Sequence, residues 1–95
     1  MKKQNNEITY VPLNDHQKYN YLSDIDISST LICKGYELVD IALNNQNKAT
    51  FIFRQHLTIS KTIEDFWGNR IEIHPLEFAN VRKNLKSRIY GMRKN

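Results

Sequence analysis

Arg82, Lys83, Lys86, Arg88, Arg93 and Lys94 crowd the end of the chain, with Tyr90 among them and no acid from Val81 onward. Clustered cations can neutralise phosphates and release counterions, an attraction that is blind to base sequence and weakens with salt. A tyrosine in such company can stack on an exposed base. Arg82, Lys83, Lys86, Arg88, Tyr90 and Arg93 are therefore the candidate nucleic-acid-binding residues. A second reading of the same face stays open: a solvated surface whose positive end complements the helix dipole. Six of the fourteen cations and none of the ten acids lie in this stretch, so the chain before it carries more acid than base. One basic end meeting an anionic partner, nucleic acid or an acidic protein surface, is the implied arrangement.

Other chemistry finds little support. His16, His56 and His74 have no metal-ligand spacing between any pair. Asp24, Asp26, Glu37 and Asp40 form an acidic group of a kind that can hold magnesium, yet aspartates at a helix entry are expected for capping alone. Ser28, Ser29 and Thr30 lack a nearby base that would make them nucleophiles. Gly35, Gly68 and Gly91 are isolated and read as helix terminators, not as a phosphate loop. The single Cys33 cannot form an internal disulfide or, within one chain, a zinc site, and reads as filler on a helix face. The expectation is a non-enzyme with no catalytic residues, no metal and no cofactor.

The elements that would position the cations follow from periodicity. Glu37 to Arg54 reads as a hairpin: Val39, Ile41 and Leu43 share one face of the first arm, and Ala49, Phe51 and Phe53 share one face of the second. The turn from Asn44 to Lys48 is rich in asparagine, which tolerates positive φ and bonds its own backbone. Ser23 and Asp24 open a helix that runs to about Lys34 and stops at Gly35. Ile59, Ile63, Phe66 and Trp67 give helical spacing within Leu57 to Trp67. Arg70 to His74 alternates strictly and reads as a third strand, which Pro75 stops. Phe78, Val81, Leu85, Ile89 and Met92 then form one apolar stripe of four helical turns, with Gly91 fraying the last. The predicted fold is α+β: a small three-stranded antiparallel-type sheet with three helices, in the order α-β-β-α-β-α.

Residues 1–22 form a polar N-terminal arm and residues 23–95 a single domain. Tyr10, Tyr19 and Tyr21 in the arm can pack on their own domain or contact a partner. Phe66 and Trp67 read either as a core plug or as the aromatic anchor of an interface. No apolar run approaches the roughly 20 residues that span a bilayer, and the two opening lysines have no apolar stretch behind them to make a secretory signal. A cytoplasmic protein is expected. Pairing of sheet edges across a twofold axis would give a homodimer.

Ser23-Asp24, Lys34-Gly35-Tyr36-Glu37-Leu38, Phe51-Ile52-Phe53, Phe66-Trp67-Gly68-Asn69, Pro75-Leu76-Glu77-Phe78 and Leu85-Lys86-Ser87-Arg88-Ile89-Tyr90 together carry a family resemblance. On these the chain resembles a small family of uncharacterised proteins of bacteriophages and mobile elements of Gram-positive bacteria, known only as a domain of unknown function. The resemblance spans Ser23 to Tyr90 and implies a phage or mobile-element setting; it supplies no catalytic residues. Two functions are expected in that setting. One is an accessory protein that binds nucleic acid through the basic helix. The alternative is an inhibitor that docks on a host defence or replication protein through the tyrosines, the Phe66-Trp67 pair or an open sheet edge.

Overall fold

The alternation around Phe51 and Phe53 places both rings on one face of a strand, and that face must be covered. In the computed structural model, which describes residues 17–93, it is. The elements are β1 (Tyr19–Leu22), α1 (Ile25–Cys33), β2 (Leu38–Leu43), β3 (Ala49–Arg54), α2 (Ile59–Trp67) and α3 (Pro75–Arg93). The sheet is antiparallel with β3 at its centre, in the order β1-β3-β2. Phe51 and Phe53 share a buried cluster with Ile27 and Leu31 of α1, Ile41 of β2, Ile59 of α2, and Leu85 and Ile89 of α3. The α+β class, the three helices and the three-stranded sheet are as the periodicity predicts; the order β-α-β-β-α-α is not.

The difference lies in the third strand. Arg70 to His74 is irregular, and its expected place beside the hairpin is taken by Tyr19–Leu22, the end of the expected arm. Arg70 is held back at the end of α2, where its N–H donates to the Asp65 carbonyl and its Nε to the Asp65 carboxylate at 3.0 Å. Ile71 and Ile73 are half-buried while Glu72 and His74 are exposed. The alternation is thus real, but it packs a connector instead of building a ladder. The sequence of β1, Tyr-Asn-Tyr-Leu, is too short and too polar for period two to stand out. Tyr10, His16, the rest of residues 1–16 and Lys94 lie outside the described residues.

The hairpin carries a second departure. Pairing steps from Leu38 opposite Phe53 to Asp40 opposite Ile52, so Val39 is an extra residue in a β-bulge. Leu38, and not Val39, therefore joins Ile41 and Leu43 against the core. The Asp40 carboxylate accepts the Ile41 N–H at 2.8 Å beside the bulge. At the turn, Asn44 Oδ1 accepts from the N–H groups of Gln46 and Lys48, and Asn47 takes φ 62°. Asparagine thus sets the turn in the way its side chain allows.

Helix α1 is the central pillar, with Ile27, Ser28, Ser29, Thr30 and Leu31 all buried. A helix buried all round needs small side chains, and each hydroxyl is satisfied by the carbonyl four residues earlier: Ser28 by Asp24, Ser29 by Ile25, Thr30 by Asp26. Asp24 caps the start by accepting from the N–H groups of Asp26 and Ile27. The end closes when the Tyr36 N–H donates to Leu31 and the Gly35 N–H to Ile32, the double bond of a Schellman motif, with Gly35 at φ 94°. A Cβ added at Gly35 would meet nothing within 4 Å, so the cost of Gly35→Ala is conformational alone. We expect a loss of about 1–2 kcal/mol, read as a lower urea midpoint with an unchanged slope.

The last helix lays Leu85 and Ile89 in the core and half-buries Phe78 and Val81, as its stripe predicts, but Met92 at the end of the stripe is exposed. Its principal neighbour is α1. Gly91 does not end it, since the helix continues to Arg93. Among the described residues, no helix is long and apolar enough to cross a membrane.

Candidate anion-binding groove

Because Leu85 and Ile89 fix which side of α3 faces the core, they also fix where its cations go. A helix turns 100° per residue, which sets Arg82, Lys83, Lys86, Tyr90 and Arg93 along one flank. That flank borders an open groove of about 1300 Å³. Ser23 and Ile25 at the start of α1, and Lys48 and Ala49 at the end of the hairpin turn, line its other side. Phe78, Ala79 and Ile89 add apolar surface. Five cationic side chains face this groove, and no carboxylate is among its lining residues.

Two of the five are held in place. Arg93 reaches across to the hairpin turn, donating from Nη2 to the Asn47 carbonyl at 2.6 Å and from Nε at 3.1 Å. A carbonyl neutralises no charge, so this contact spans the groove without cancelling it. Arg82 donates from Nε to the Asp26 carboxylate at 2.5 Å. Both partners are substantially exposed, and such a pair contributes at most about 1 kcal/mol. It nevertheless offsets one positive charge. Lys48, Lys83 and Lys86 have exposed side chains with no ion pair among the described residues.

Of the six candidate residues, the fold thus gathers Arg82, Lys83, Lys86, Tyr90 and Arg93, and it separates Arg88. Arg88 lies on the far flank, beside a depression lined by Ile32, Tyr36 and Val81. Lys48, which is not among the six, also lines the site. Nothing local marks it, because only closure of the hairpin against α3 brings it there.

The aromatic candidates separate as well. Tyr19 is buried, and the Arg54 guanidinium lies over its ring at 6.0 Å. Tyr21 is half-buried opposite Ile52, on the sheet face turned away from the main core. Phe66 is half-buried against the core cluster, while Trp67, edge-on to it, is 67 % exposed. Trp67 therefore does not plug the core; it stands on the rim of a cleft with Ile71, Ile73 and Pro75.

The acidic candidates each have a local task. Asp24 caps α1, Asp26 holds Arg82, Asp40 sits at the bulge, and Glu37 accepts from Arg54 Nε at 2.8 Å. Hydrogen bonding and charge from Arg54 hold the Glu37 carboxyl below its ordinary value. Among the described residues, no three His, Cys, Asp or Glu side chains are grouped to hold a metal. His56 Nδ1 accepts the Thr58 N–H at 3.1 Å, next to the start of α2.

Burial pushes the Cys33 thiol up, with the nearby Glu77 carboxylate adding to the effect. A thiol raised in this way stays protonated at neutral pH and is a poor nucleophile. Alkylation by iodoacetamide at neutral pH should be slower in the folded protein than in urea. Equal rates would show that α1 does not shield it.

No curated protein and no solved structure matches the chain. A family model does, over residues 17–91, from just before β1 into the last turn of α3. The matched segment contains the sheet, α1, α2, α3 up to Gly91 and all of the groove's lining except Arg93, and on it the chain belongs to the family described as Domain of unknown function (DUF5659).

Proposed function

We propose that this protein binds nucleic acid, without preference for base sequence, in the groove between α3 and the hairpin turn. It acts as a binding protein and not as a catalyst, in the cytoplasm. One observation carries the reading: five cations from two separate elements line one groove with no carboxylate among its lining residues, and of the five Arg82 alone is ion-paired, to Asp26. Dipole complementarity accounts for cations in the last turn of α3. It does not account for Lys48 on the opposite wall, nor for Arg82 and Lys83 near the middle of the helix. The resemblance across residues 23–90 supports an accessory role in a phage or mobile element. Filter retention of a labelled oligonucleotide at low and high salt, for the wild type and for Lys83→Gln/Lys86→Gln, tests the binding. Retention should be lost at high salt and reduced in the variant; equal retention by the two proteins would end the idea.

Exposure of Trp67 favours one other reading, a docking surface for a host protein. Tryptophan anchors interfaces out of proportion to its abundance. A pull-down from nuclease-treated lysate separates the two: capture that persists and needs Trp67 supports the docking surface, and capture that vanishes with the nucleic acid supports the groove.

A further inference from the structure

We propose that the groove selects a single strand over a duplex, with Tyr90 as the platform for one unpaired base. This rests on the nucleic-acid reading and names the class of ligand within it. A helix that reads duplex DNA presents its side chains outward as a rod that enters a major groove about 12 Å wide. Here the arrangement is inverted. The cations line a concavity whose opposite wall is Lys48 and Ala49, with the start of α1 alongside. The Arg93 to Asn47 contact ties α3 to the hairpin turn. A duplex carries its phosphates on the outside of a stiff cylinder and would touch only the rim. A single strand bends freely and can lay its backbone inside.

Once unpaired, a base must find a surface that replaces its lost stacking. Tyr90 lines the groove between the cations and is 64 % exposed. Its neighbour Gly91 adds no side chain there. Phe78, Ala79 and Ile25 extend the apolar surface along which sugars and bases can lie. Every base has a π-face, so a lone tyrosine selects for unpaired bases without selecting among them.

The test is fluorescence anisotropy at low salt with three probes of equal length, about 15 nucleotides, a length that covers typical single-strand sites. The probes are an oligothymidylate, an abasic strand with the same number of phosphates, and a duplex. The wild type should bind the oligothymidylate at least about tenfold more tightly than either of the others. Tyr90→Ser should weaken oligothymidylate binding about 5- to 150-fold and leave its salt dependence unchanged, because no cation is lost. Tyr90→Phe, which keeps the ring face, should recover most of that loss. Tyr90 is exposed, so circular dichroism should show all variants folded. Duplex bound as tightly as single strand, or Tyr90→Ser equal to the wild type, overturns the inference while the nucleic-acid reading stands. Failure of every probe to bind the wild type overturns both.

Discussion

Phe53→Ala should cost about 3–5 kcal/mol, the largest stability loss expected of a single truncation in this core. Phe53 is fully buried on the central strand, with Asn20 of β1 as its partner on one side and Leu38 of β2 on the other. Truncation therefore opens a cavity where all three strands meet the helices. A domain of this length has a total stability of only about 5–10 kcal/mol, so the loss takes a large part of it. Neighbours can close such a cavity only by moving, and those of Phe53 are fixed by both ladders and by α1. The control is Trp67→Ala, which removes a larger ring from a residue that is mostly exposed. It should change stability by no more than about 0.5 kcal/mol. Urea titration reads both. A small loss at Phe53, or a large one at Trp67, would mean the core has been assigned to the wrong rings.

The contrast between those two rings marks what was legible beforehand. Phe53 sits in a strict alternation, and a pleated strand leaves no choice about which face it shares with Phe51. Trp67 sits at the last residue of α2, where a one-residue rotation decides between core and solvent, so its spacing alone could not place it. The asparagine turn, a helix entry at Ser23-Asp24 and the Gly35 stop were readable because each is a local bond or a local φ. Strand β1 was not, because four residues carry too few periods. Arg70 to His74 misled for the opposite reason: alternation reports which side chains are covered, not whether the backbone is paired. The site divides in the same way. The α3 cations that share a flank follow from helical geometry, whereas Lys48 needed the hairpin folded back on α3, and the loss of one charge at Arg82 needed Asp26 brought alongside from α1.

That last pairing sets the size of the salt effect. Lys48, Lys83, Lys86 and Arg93 offer uncompensated charge, while Arg82 is offset by Asp26. For a single strand, each neutralised phosphate contributes about 0.7 to the slope of log affinity against log salt, so four contacts give a slope near −2.8 and about a 50-fold loss between 50 and 200 mM salt. Lys83→Gln/Lys86→Gln should halve that slope and leave about a sevenfold loss over the same range. Asp26→Asn moves in the opposite direction. With its carboxylate gone, Arg82 becomes a fifth contact, the loss steepens to about 130-fold, and binding at low salt tightens. The Asp26 side chain does not cap α1, which is the task of Asp24, so the fold should tolerate the change. A diffuse positive surface would respond to every added or removed charge alike, including Arg88 on the far flank. A groove should respond to Asp26 and Lys48 and ignore Arg88→Gln. Slopes that track net charge, regardless of where the charge lies, would dissolve the site into a general attraction between a basic helix and a polyanion.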